Sequence, residues 1–141
     1  MADPRLGVSY DNLLDEVETY LIDDSTITFS AAQSGGSSAI GMAVSLSAAD
    51  TVQLCSDAEE VIGKLIKVAS DGIATVQIKG AMTLPGGTGA TLTLGSKVVG
   101  DLLVAAKGYV RIVNTAVDAE VALGRGYILN ASTTTAVWIM F

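Results

Sequence analysis

At 141 residues, half of them hydrophobic but only 5% aromatic, the chain is sized for one domain whose core is filled by Val, Ile, Leu and Ala. It has no histidine and one cysteine, which excludes histidine general-base catalysis, Ser-His-Asp and Cys-His nucleophilic sites, zinc-finger spacing and an internal disulfide. A formal charge of −7 and a pI near 4.3 argue against a phosphate-binding surface, so no nucleic acid partner is expected.

Residues 1–24 hold seven acids against Arg5 alone, whereas the rest of the chain is nearly neutral with eight acids and seven bases. The opening Met-Ala-Asp-Pro-Arg lacks the apolar run of a secretory signal. Leu13, Leu14, Val17, Tyr20 and Leu21 follow i, i+1, i+4, i+7, i+8 spacing, which predicts a short amphipathic helix over residues 10–22, capped by Ser9 or Asp11. These five residues are the candidate partner-interface residues. The stripe either packs on its own domain or docks on a neighbouring subunit or partner. The division expected is an acidic arm, 1–24, and a β domain, 25–141.

From residue 25 the pattern changes to short runs punctuated by glycine. Ser25–Ser30 alternates and is predicted as a strand; Ala31–Ser38, with Gly35-Gly36, is a flexible connection. Strands are predicted at Gly41–Ser47 and Thr51–Cys55, with Cys55 a core residue rather than a reactive thiol. Asp57, Glu59 and Glu60 lack the ligand spacing of a calcium loop and read as a solvated acidic turn.

Val61–Gly80 gives the clearest signal. Two apolar runs flank Ser70-Asp71-Gly72, a hairpin turn. On the outgoing arm Ala74, Val76 and Ile78 share one face; on the incoming arm Ile62, Ile66 and Val68 share another, interrupted by Lys64. Further strands are predicted at Ala81–Leu84, Ala90–Leu94, Val98-Val99, Gly108–Asn114, Ala119–Leu123, Tyr127–Asn130 and Ala136–Phe141, with turns at Pro85–Gly89, Gly95–Lys97 and Gly100-Asp101. The glycine cluster at 86–89 leads into a strand rather than a helix, which removes the phosphate-cradle reading. Asn130-Ala131-Ser132 is a glycosylation sequon that has meaning only in an exported protein. Gly63–Val68 and Gly108–Val113 share a strand pattern without amounting to a repeat. The longest apolar stretch, Val98–Ala106, is too short for a membrane span and carries Asp101. No membrane partner is expected, and synthesis and assembly are expected in the cytoplasm. The fold expected is mainly β, a small antiparallel barrel or sandwich with an N-terminal arm containing one short amphipathic helix.

The runs Ile62–Val68, Asp71–Gly80, Gly89–Val99, Gly108-Tyr109-Val110, Gly124-Arg125-Gly126 and Val137-Trp138-Ile139 resemble the small decoration, or cement, proteins of tailed bacteriophage heads, over about residues 50–141. The resemblance implies a small β-barrel or sandwich, usually trimeric, on the outer capsid surface of the virion, bracing major capsid protein subunits. It also implies that an N-terminal arm binds the shell or an adjacent copy. The aliphatic core and surplus apolar content suit a protein whose work is contact.

Two other classes fit the sequence less well. A receptor- or carbohydrate-binding β module relies on exposed aromatics, and this chain has one Trp, four Tyr and two Phe, most in strand-like runs. An enzyme using paired carboxylates would have Asp57/Glu59/Glu60 or Asp118/Glu120, neither beside an apolar pocket visible in the sequence. The expectation is a structural protein with no catalytic residue, cofactor or metal.

Overall fold

The computed structural model describes residues 16–88, 92–133 and 136–141. In these, the strands are β1 (Glu16–Ile22), β2 (Ala43–Ala48), β3 (Thr51–Leu54), β4 (Gly63–Val68), β5 (Ile73–Lys79), β6 (Ala81–Leu84), β7 (Val98–Leu103), β8 (Ala106–Ile112), β9 (Tyr127–Thr133) and β10 (Ala136–Met140). One α-helix, α1 (Asp118–Leu123), lies between β8 and β9, and a single 3-10 turn spans Ser34–Gly36. The mainly β fold expected from the sequence is what is found.

β4 and β5 form the predicted hairpin. Gly72 has φ 82°, its N–H donates to Ala69 O at 3.1 Å, and Asp71 Oδ1 accepts from Ile73 N at 3.2 Å. A Cβ at Gly72 would meet only Ile22 Cγ1, at 3.9 Å, so a larger residue is opposed by backbone conformation rather than by crowding. Gly72→Val should therefore cost about 1–3 kcal/mol. A thermal melt checks this, and an unchanged midpoint would count against it.

The first five strands close into a barrel in the order β1-β3-β2-β4-β5. All its pairings are antiparallel except β1 with β3, where Leu21 faces Thr51 and Ile22 faces Val52. Its core holds Ile27, Ala39, Val44, Val52, Leu65, Val68, Ala74 and Val76. Ala74 and Val76 point inward as the alternation predicts. On β4 the buried residues are Leu65 and Val68 while Ile66 is 37% exposed, because a bulge between Leu65 and Lys67 resets the side-chain parity.

The predicted helix over residues 10–22 is corrected here. Residues 10–15 lie outside the described residues, and Glu16–Ile22 is the strand that closes the barrel between β3 and β5. Ladder bonds on both sides, including those made by Thr19 and Leu21 opposite Thr75 and Ile73, outweigh a helical spacing that would have satisfied the backbone locally. An arm ending at residue 24 therefore overlaps the barrel.

Four other expectations fail. Ser25–Ser30 is not a strand: Thr26 N and Ile27 N both donate to Asp23 O, at 3.1 and 3.0 Å, and Asp23 Oδ1 accepts from Ser25 N and Oγ. Gly100-Asp101 is not a turn, since β7 runs through it. Ala119–Leu123 lies in α1, whose first turn carries Asp118 and Glu120. Of the predicted strand Ala90–Leu94, residues 90 and 91 lie outside the described residues and Leu92–Leu94 is not strand.

The second five strands repeat the arrangement of the first. β6-β10-β9 form one sheet and β7-β8 another. A parallel bridge Gly86–Val110 joins β8 to the continuation of β6, and an antiparallel bridge Val98–Arg125 joins β7 to the approach of β9. The resulting ring, β6-β8-β7-β9-β10, has the same order and the same parallel first-to-third contact as the barrel. Several bonds correspond: Asp23 N→Val52 O at 2.8 Å matches Gly87 N→Val110 O at 3.0 Å, and Ile62 N→Val44 O at 2.9 Å matches Arg125 N→Val98 O at 3.0 Å. Leu65 opposite Val76 likewise matches Ile128 opposite Ile139. Met82, Leu84, Val98, Val110, Ile128 and Ile139 fill this second ring, joined by Ala43, Cys55 and Val61 of the first half. Gly63–Val68 and Gly108–Val113 occupy non-equivalent places, β4 and β8. The repeat is real but lies in the topology, not in those two stretches.

Candidate functional site

The acidic residues of the 56–60 turn are bound into the structure rather than simply solvated. Glu59 Oε2 accepts from Ser45 Oγ and Ser56 N, both at 2.8 Å, and its Oε1 from Gln53 Nε2 at 3.4 Å. Asp57 Oδ1 accepts from Arg111 Nε at 3.0 Å. Glu60 Oε1 stands 3.9 Å from Arg125 Nε.

The second carboxylate set is bound more tightly. Arg111 donates from Nη1 and Nη2 to the two oxygens of Glu120, at 2.9 and 2.7 Å, and Asn114 N donates to Glu120 Oε2 at 2.9 Å. Those bonds hold the Glu120 carboxyl at about 2, and the same contact raises the Arg111 guanidinium further. That shift takes Glu120 away from neutral pH, the opposite of what a general acid requires. Burial pushes the Cys55 thiol up to about 12, with its Sγ donating to Tyr109 O at 3.5 Å, so it is an unreactive core residue as predicted. Among the described residues, no group of three or more His, Cys, Asp or Glu could hold a metal ion.

What the surface offers is apolar contact. At one end of the first barrel Tyr20, Leu46, Ile62 and Ile78 line a groove of about 370 Å³ with Phe141, and Glu16, Lys79 and Arg125 supply charge. Arg125 stacks over the Phe141 ring at 5.6 Å, and Lys79 pairs with Glu16 at 3.7 Å. Leu46 and Ile62 also line a neighbouring groove of about 250 Å³, where Leu123 joins them. Leu46 is 52% exposed. Its parity with Val44 in β2 was readable in the sequence but its place at the barrel mouth was not, because that depends on β3 and β4 closing around it.

The candidate interface residues are divided by strand geometry. Val17 and Leu21 share the outer face of β1 and are 56% and 51% exposed. Tyr20 points the other way, toward the barrel core and its mouth, and its hydroxyl donates to Glu18 Oε2 at 2.8 Å. Leu13 and Leu14 lie outside the described residues. No family model, curated protein or solved structure matches the chain.

Proposed function

We propose that this is a structural virion protein, a homotrimer that binds the outer surface of a phage capsid and stabilises contacts between major capsid protein subunits. The observation that carries the reading is the pairing of Val17 and Leu21, large apolar side chains left exposed on one face of a strand that a barrel holds rigid. The sequence resemblance to decoration proteins supports it. So does the use of Asp57, Glu59 and Glu120 as structural ties. The aromatics in the grooves, Tyr20 and Phe141, are only partly exposed, Tyr20 packing on the barrel core and Phe141 lying under Arg125, which gives a sugar platform less support.

Co-sedimentation with expanded, undecorated heads tests the reading. The wild-type chain should pellet with heads, and Val17→Asp with Leu21→Asp should weaken binding by tenfold or more at unchanged melting temperature. Each buried side chain of this size contributes about 1.5–3 kcal/mol, and about 1.4 kcal/mol is tenfold. Attachment led by the acids would instead weaken steeply with salt and ignore these substitutions. Failure to pellet under any salt condition would overturn the proposal.

A further inference from the structure

The two halves of the chain meet through a contact that is used once and whose two surfaces each recur, uncovered. In the first half, the turn after β3 lies against the second ring: Ala58 N donates to Gly100 O at 3.0 Å, Gly100 N to Glu59 O at 2.8 Å and Gly108 N to Cys55 O at 2.8 Å. The approach is close, since a Cβ at Gly100 would run into Ser56 O.

The register of the two rings identifies the counterparts. Leu46 faces Val52 as Gly100 faces Val110, so Gly100 corresponds to Leu46. Asp50 and Gly108 then coincide, and both have positive φ, 54° and 96°. On the other side, Ser56 N→Glu59 Oε2 at 2.8 Å corresponds to Asn114 N→Glu120 Oε2 at 2.9 Å, which equates the turn at 56–59 with that at 114–120. The receiving surface of the first ring, Leu46–Asp50, is exposed throughout, and so is the presenting turn of the second, Asn114–Ala119. Where the first turn passes directly from Ser56 to Asp57, the second inserts Thr115-Ala116-Val117, and Val117 is 40% exposed. The glycine that admits close backbone approach is replaced by leucine, and the facing turn is longer and carries a valine. Leu123 of the same chain reaches the groove beside Leu46 without covering it.

We infer that copies of this chain associate head to tail, the Asn114–Ala119 turn of one seating on the Leu46–Asp50 corner of the next, with Val117 against Leu46. Such a contact is heterologous, so it closes into a ring when the rotation allows and otherwise extends. A ring of three chains would present six barrel units in succession. The inference rests on the self-association in the function proposed above and needs no capsid.

Native mass spectrometry and light scattering of the full chain test it. The wild type should be an oligomer, whereas Leu46→Asp and Val117→Asp should each run as single chains with unchanged melting temperature. Mixing the two variants should restore a one-to-one dimer, because one retains an intact turn and the other an intact corner. That rescue also shows that both variants are folded. A wild-type monomer at high concentration would overturn both this inference and the proposed trimer. An oligomer that survives both substitutions but dissociates on Val17→Asp with Leu21→Asp would overturn this contact alone. Two variants that stay apart when mixed would count against head-to-tail geometry.

Discussion

Deleting residues 1–24 should unfold the first barrel, while deleting residues 1–15 should leave it closed. β1 is the only strand between β3 and β5 in the ring, so its loss bares two strand edges and removes Tyr20 and Ile22, which pack on the barrel core. Two such side chains contribute about 1.5–3 kcal/mol each, and the lost ladder bonds add to that. The sum reaches the roughly 5–15 kcal/mol by which a domain is stable at all. The shorter deletion leaves all five described strands of the ring in place. Urea melts followed by circular dichroism distinguish the two: the shorter variant should melt cooperatively near the wild type, and the longer one should aggregate or show no transition from the barrel. A longer deletion that melts like the wild type would show that β1 is dispensable.

The same strand shows where sequence reasoning stops. Leu13, Leu14, Val17, Tyr20 and Leu21 fit a helical stripe, but Val17-Thr19-Leu21 and Glu18-Tyr20-Ile22 also alternate, and nothing local decides between the two. The decision comes from β3 and β5, about 30 and 55 residues further along the chain, whose edges require a partner. The β4–β5 hairpin was legible because its turn chemistry and alternation are local. α1 was legible in part: Asp118 and Glu120 in the first turn and Gly124 after the last are helix signals that the apolar run Val121-Ala122-Leu123 masked.

The internal repeat left one readable trace. Asp57-Ala58-Glu59 and Asp118-Ala119-Glu120 are the same tripeptide, each followed by a glycine four residues after its Glu, at Gly63 and Gly124. In both, the glutamate accepts a hydrogen bond from the backbone where the third strand of its ring ends. The strands around them conserve only inward apolar character, which many sequences satisfy, so the match of the rings emerges from register rather than from letters. The exposed groove at Leu46 was less legible still, because which end of a strand reaches a barrel mouth is set by the shear of the whole ring.

Replacing Glu120 should be the most damaging single change at either of these ties. Glu59 is held by a backbone N–H, a hydroxyl and an amide, so Glu59→Ala should cost about 1–2 kcal/mol. Glu120 is buried against a guanidinium whose side chain is only 14% exposed, and its removal leaves that cation with Asp57 at the surface and Asp101 at 3.9 Å. Breaking a pair of this kind costs about 3–5 kcal/mol when fully buried. With part of each side chain reaching solvent, about 2–4 kcal/mol is expected for Glu120→Ala, a fall of roughly 5–15 °C in melting temperature for a chain of this size. The pH dependence identifies the cause. The folded carboxyl titrates at about 2 against an ordinary 4.5, so the unfolded chain takes up its proton first as pH falls. The contribution is present in full above about pH 4.5, declines through the interval down to about 2, and is lost below it. Urea melts of wild type and Glu120→Gln at a series of pH values should therefore lie far apart at pH 7 and converge toward pH 2.5. Curves that stay parallel over that range would show that Glu120 stabilises the fold by packing alone and that its bond to Arg111 contributes nothing.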